Sequence, residues 1–167
     1  MAYLLDADVF IQASNLHYRF EFCPAFWDWI DQEHQAGRIF SVDRIRKEIL
    51  DGEYGDLIKW VKARSAFFLE TATDSTYRSL KKLARWAKEK YKPGGYAKFF
   101  ESGDFILVGF AHANNHVVVS QERGSDGAQV KIPNACDAIG VRCIRTWELL
   151  KELKAQFVLG SIDGPGS

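Results

Sequence analysis

Of four acidic residues, Asp6, Asp104 and Glu122 stand where short apolar segments end or begin and Glu48 lies within a helical one, and their chemistry is the first question the chain poses. Asp6 closes the apolar run Tyr3-Leu4-Leu5, Asp104 opens an apolar stretch, and Glu122 follows the run Val117-Val118-Val119. Glu48 shares a helical segment with Ile45 and Ile49 and sits beside them rather than opposite. Hard divalent ions such as Mg²⁺ and Mn²⁺ take oxygen ligands, and a phosphodiester cleaved by water needs such an ion to polarise the phosphate and acidify the nucleophile. Without a cation, grouped carboxylates repel by about 1 to 4 kcal/mol per close pair in water or near a protein surface. Each acid taken singly also has an ordinary structural role: Asp6 or Asp8 as a helix N-cap, Asp104 as a first-turn acid favoured by the helix dipole, Glu122 as a loop acid.

The elements that must hold these residues follow from hydrophobic spacing. Tyr3 to Leu5 predicts a strand, and Val9, Ala13 and Leu16 predict a helix from Asp8 to about Leu16. Pro24 opens a second helix that stops at Gly37. Ser41 is the expected N-cap of a third, Val42 to Leu50, with Val42, Ile45 and Ile49 on one face. A helix from Asp56 to Ala63, a strand from Ala66 to Leu69 and a long helix from Ser75 to Tyr91, closed by Pro93, Gly94 and Gly95, come next. An apolar helix from Asp104 to about Ala113 leads to a buried strand, His116 to Ser120, and a further strand, Val141 to Ile144, precedes a last helix from Thr146. Short apolar strands alternating with helices imply right-handed crossovers and a parallel sheet covered on both faces, with chemistry outside the carboxyl ends of the strands.

At 167 residues and 47% hydrophobic content the chain suits one domain, expected over 1–157, with 158–167 as a flexible tail. The 22 basic and 22 acidic residues cancel, so any nucleic-acid contact has to come from local charge. Cys23, Cys136 and Cys143 form no CxxC pair and are odd in number, against a disulfide framework or a cysteine zinc site. No signal-peptide pattern or membrane-length apolar run is present, so a cytoplasmic location is expected. Neither a phosphate-cradling Gly-rich loop with its Lys nor a Gly-x-Ser-x-Gly elbow occurs, which leaves nucleotide triphosphatase and esterase readings without support. His112 and His116 have the spacing of zinc ligands, but Ala113 stands where a metalloprotease carries Glu.

The opening Tyr3-Leu4-Leu5-Asp6-Ala7-Asp8-Val9-Phe10 resembles the start of PIN domains, in which an apolar strand ends in an Asp two residues before an Asn or Ser; Asp8 fills that second position here. Glu48 matches the family's second acid in type and rough spacing. Asp104-Phe105-Ile106-Leu107-Val108-Gly109-Phe110-Ala111 followed by Val117 to Val119 resembles the helix and strand that carry its third. The strand's usual ending, Thr or Ser, one residue, then Asp, reads Ser120-Gln121-Glu122, with Glu in place of Asp, and the segment Arg123 to Cys136 is longer than the family leads one to expect. The resemblance spans nearly the whole chain. It implies a three-layer α/β/α sandwich around a mostly parallel four- to five-stranded sheet, and an endoribonuclease similar to the VapC-type toxins of toxin-antitoxin pairs. Asp6, Glu48, Asp104 and Glu122 would then hold Mg²⁺ or Mn²⁺, supported by Asp8 and Ser120. Water activated by the ion would attack the phosphate in line, an antitoxin would be the protein partner, and a homodimer would be in keeping with the family.

Substrate has to be drawn to an acidic centre by charge of the other sign. Between Arg78 and Lys98 eight basic residues face one acid, Glu89, with Tyr77, Trp86, Tyr91 and Tyr96 interleaved, a composition suited to phosphate contacts beside stacking surfaces. Lys81, Lys82, Arg85 and Lys88 are the expected RNA guides; the alternative is a solvated helix face with Trp86 buried. The aromatic group Phe20, Phe22, Phe26, Trp27 and Trp29 reads as core or as a partner groove. Two other functions compete: a PIN-like module with a degenerate site that binds RNA or protein, supported by the Glu at position 122, and a metal-dependent hydrolase or phosphatase of another α/β family.

Overall fold

The computed structural model describes residues 1–160. Strands β1 (Tyr3–Leu5), β2 (Ile39–Val42), β3 (Phe68–Leu69), β4 (Val117–Val119) and β5 (Cys143–Ile144) form one parallel sheet in the order β3-β2-β1-β4-β5. Every residue of β1 and β4 is buried, as expected where helices cover both faces of a parallel sheet. The crossovers are helical: α1 (Ala7–Gln12) and α2 (Pro24–Gln35) join β1 to β2, and α3 (Asp43–Asp51) and α4 (Asp56–Lys62) join β2 to β3. Then α5 (Asp74–Lys90), α6 (Pro93–Glu101) and α7 (Gly103–Asn114) join β3 to β4, α8 (Ile132–Ile139) joins β4 to β5, and α9 (Thr146–Glu152) follows the last strand. The result is a three-layer α/β/α sandwich, with Leu4, Leu5, Phe10, Ile30, Ile39, Ile45 and Ile49 fully buried at its centre. Among the described residues no helix is long and apolar enough to cross a membrane. Of the tail expected from 158 onward, Val158 to Gly160 are exposed, and 161–167 lie outside the described residues.

Local structure departs from the sequence reading at several places: the strand read over Ala66 to Leu69 is a 3-10 turn from Ser65 to Phe67 followed by the short β3, and β5 starts at Cys143 rather than Val141. The first helix runs as α1 only to Gln12 and continues from Ala13 to His17 as a π-helical turn. Ser41 is not an N-cap: it lies inside β2, fully buried, and its hydroxyl donates to the Leu5 carbonyl of the neighbouring strand at 2.6 Å. The cap position falls on Val42, whose side chain has nothing to offer, and α3 begins one residue later. Pro93 does not merely close the long helix. Its ring suits the first turn of a new one, and α6 starts there with Lys92 as its extended cap. Finally, the segment from Arg123 to Cys136, to which the sequence reading assigns no element, leads into α8, in which Ile132, Ala135, Cys136 and Ile139 are buried along one face.

Candidate functional site

The parallel pairing of β1 with β4 sets Leu5 opposite Val119, so the residues that follow, Asp6 and Ser120, emerge side by side at the carboxyl edge of the sheet. Asp6 leaves the strand with extended dihedrals and caps α1; one carboxylate oxygen accepts the Ala7 N–H at 2.6 Å and the other the Ser120 hydroxyl at 3.0 Å. It is only 3% exposed, and burial first, then the charges of Asp8 and Asp104, hold its carboxyl well above the usual range. Asp8, in the first turn of α1, accepts the Gln121 N–H at 3.3 Å and is likewise raised, chiefly by burial. Ser120 therefore does double duty: its oxygen also accepts the Glu122 N–H at 3.1 Å, tying the residue after β4 to the buried Asp6.

Glu48 reaches the same edge from α3. Its carboxylate accepts the Gly103 N–H at 2.5 Å, so one acid satisfies the start of α7 while the next residue, Asp104, supplies another. Glycine at position 103 leaves room for this approach: a Cβ there would stand 2.8 Å from Ile45 Cδ1 and 3.0 Å from Glu48 Oε2, so both side chains would have to shift. Asp104 is half-buried, and its carboxyl is pushed up to about 7 by burial foremost, then by the charges of Glu122, Glu48 and Asp8, with Lys131 pulling the other way. Glu122 spends one oxygen on the Ile132 N–H at 2.8 Å, and its other oxygen lies 3.7 Å from the Lys131 ammonium.

All four acids singled out in the sequence thus share one locality with Asp8 and Ser120. The donor set is carboxylate oxygen without thiolate or imidazole, the chemistry of a hard divalent cation. The electrostatics fit as well: carboxyls that raise one another's pKa on burial lack the positive charge that would hold them ionised. As they stand, however, no three His, Cys, Asp or Glu side chains among the described residues are drawn together tightly enough to enclose an ion. Glu48 and Glu122 are turned toward backbone N–H groups, and both would have to swing for full ligation.

Lys131 is the site residue that the sequence reading missed. It enters the site because α8 begins at Ile132, and the spacing of Ile132, Ala135, Cys136 and Ile139 behind Pro133 was the signal that could have revealed that helix. The expected RNA guides are scattered. Lys81, Lys82, Arg85 and Lys88 are all exposed on α5, but Lys82 lies 3.5 Å from His112 Nε2, near the C-terminal end of α7. Lys88 sits instead over Phe100 of α6, 5.9 Å from the ring centroid, and Lys81 borders a cavity shared with Phe105. Trp86 is half-buried and packs edge-on against Tyr91. The two histidines have separate structural partners: His112 bonds the Ser79 hydroxyl at 2.7 Å and His116 accepts the Ala2 N–H at 3.0 Å. Of the aromatic group, Phe26, Trp27 and Trp29 are core, Phe20 stacks on Trp27, and Phe22 is exposed.

Residues 3–157 match the model of a family described as a domain of unknown function, DUF4411. No curated protein and no solved structure matches the chain.

Proposed function

For this chain, which belongs to the DUF4411 family, we propose the activity of a metal-dependent endoribonuclease that hydrolyses RNA phosphodiesters with water. One observation carries the reading: Asp6, Asp8, Glu48, Asp104 and Glu122 gather at the carboxyl ends of β1 and β4, and Asp6 and Asp104 have their pKa raised by burial first and then by the charges of neighbouring acids. A bound Mg²⁺ or Mn²⁺ supplies the charge that polarises a phosphate and acidifies a water. Asp6, Glu48, Asp104 and Glu122 would hold it, with Asp8 beside them. Ser120 fixes the orientation of Asp6, Gly103 lets Glu48 approach α7, and Lys131 offers a cation for the phosphate once Glu122 turns away from it. The same proposal takes RNA as substrate and the cytoplasm as location, and on the PIN-domain resemblance it adds an antitoxin as protein partner and a homodimer as the assembly.

A specific contact favours a second reading, a PIN-like module that binds RNA or protein without cleaving. Glu122 is already paired with Lys131 and the start of α8, so the corner at which the resembling family has Asp is closed by the chain itself.

Cleavage of single-stranded and structured RNA with Mn²⁺, run beside folded Asp6→Asn and Asp104→Asn variants, separates the two. Activity that depends on Mn²⁺ and disappears in both variants upholds the nuclease. Equal activity in all three proteins refutes it, and RNA binding without cleavage in any of them gives the function to the binding module.

A further inference from the structure

One cavity lies beside the carboxylates and a second lies next to it. The smaller, about 110 Å³, is lined by Asp104 and Glu122 together with Lys98 and Lys131. The larger, about 630 Å³, is lined by Lys90, Tyr91 and Lys92 on one side and by Asp126 to Gln129 on the other. Gly95 and Gln129 border both, so the two are neighbouring hollows along one face, parted where the chain closes on Gly95, and together they make an interrupted groove. Its roof is the segment between Glu122 and α8, the stretch longer than the resembling family leads one to expect. That roof rests closely on α6: the Val130 N–H donates to the Gly95 carbonyl at 3.3 Å, and a Cβ on Gly95 would stand 2.1 Å from the Ala128 carbonyl oxygen. Farther out the roof is held to α8 by the Ser125 N–H, which donates to Asn134 Oδ1 at 2.9 Å.

Resting on the nuclease reading, we infer that this groove is the track of a single RNA strand, with its phosphates along Lys131, Lys98, Lys92 and Lys90 and one unstacked base in the larger cavity. Charge is the first argument. Four lysines line the groove, and the acids along it are Asp126 and the two site carboxylates, Asp104 and Glu122, so away from the metal position the walls favour a polyanion. Shape is the second. The larger cavity falls within the range, roughly 300 to 1,000 Å³, that encloses small organic ligands. A duplex keeps its bases stacked inside and presents a convex backbone, whereas a single strand can turn a base into such a hollow. Spacing is the third. From Gly95 to the end of α6 at Glu101 is about 9 Å at 1.5 Å per residue, a short step from the larger cavity toward the carboxylates. The track thus follows α6 and the roof rather than the middle of α5, where Lys82 faces His112.

The test measures affinity of the folded full-length Asp104→Asn protein for a fluorescent single-stranded RNA across a salt series, with Mn²⁺ present. Three lost phosphate contacts in Lys90→Ala/Lys92→Ala/Lys98→Ala should flatten the slope of log affinity against log salt by about 2, at roughly 0.7 per contact on a single strand. The set Lys81→Ala/Lys82→Ala/Arg85→Ala should flatten it less, and a duplex of the same sequence should compete weakly. An unchanged slope in the first set, a larger effect in the second, equal binding of duplex or no RNA binding at all overturns the track. Cleavage by the wild-type protein is scored separately. A flattened slope without any cleavage keeps the track and discards the nuclease, while cleavage with an unaltered slope does the reverse.

Discussion

Replacing Asp104 by Asn should make the metal-free protein more stable and inactive at once. Lifting the Asp104 carboxyl to about 7 means that its ionised form is disfavoured in the folded state, at about 1.4 kcal/mol for each pKa unit. An aspartate in the unfolded chain ionises near 3.9, so the penalty at pH 8 is on the order of 4 kcal/mol, an upper figure because neighbouring acids share the protons. The sign follows from proton counts. Between about pH 4 and 7 the folded protein holds the proton that the unfolded chain has released, so stability falls as pH rises through that window and levels off above it. An amide of the same shape carries no charge and escapes the penalty. With 2–4 °C per kcal/mol expected for a chain of this length, the variant should melt roughly 8–16 °C above wild type at pH 8 in chelator, and the two should converge near pH 4. Mn²⁺ should raise the wild-type midpoint at pH 8 far more than that of the variant. Thermal unfolding followed by circular dichroism at both pH values provides the assay. A variant no more stable than wild type at pH 8, or a gap that does not close toward pH 4, would refute the idea of carboxylates held against their own repulsion.

Three other outcomes follow from single contacts. Ser120→Ala removes the hydroxyl that lowers the pKa of Asp6 and holds the Glu122 N–H, so it should cost about 1–3 kcal/mol in urea unfolding and reduce cleavage. Gly103→Ala would push Ile45 and Glu48 off the start of α7, and should lower stability by about 1–3 kcal/mol and reduce cleavage, read by urea unfolding and a Mn²⁺ titration of the rate. Lys131→Ala takes away the charge that pulls the Asp104 pKa down, so the acid limb of the pH–rate profile should move to higher pH; a limb that stays or moves lower counts against the placement of Lys131.

The class of fold was legible because parallel strands buried on both faces must be short and continuously apolar, and Tyr3 to Leu5 and Val117 to Val119 have no other comfortable home. The acids were legible for a related reason: a charge directly after such a strand has only the carboxyl edge to occupy. β2 was harder to see. Ile39 to Val42 runs straight into the apolar face of α3, and at Ser41 a hydroxyl that looks like a cap is spent on a neighbouring strand, a bond that no local pattern announces. Between Tyr91 and Pro93 the interruption was evident but not its sequel, since a proline that stops one helix is equally suited to start another. Lys131 was missed with α8, whose apolar spacing went unread, whereas the groove stayed hidden because it depends on Gly95 meeting Ala128, a contact between segments about thirty residues apart in the chain that no local pattern announces.

The strand order carries a consequence for synthesis. β1 occupies the middle of the sheet, yet its two neighbours arrive at very different times: β2 is complete at residue 42, β4 only at residue 119. A growing chain can assemble β1, β2 and β3 early, with one edge of β1 waiting, but Asp104, Ser120 and Glu122 have not yet been translated. Every ribosome making this protein therefore holds an incomplete acidic centre until the second half of the chain has emerged. Under the proposed ribonuclease activity, that order of arrival would protect the message and the machinery reading it.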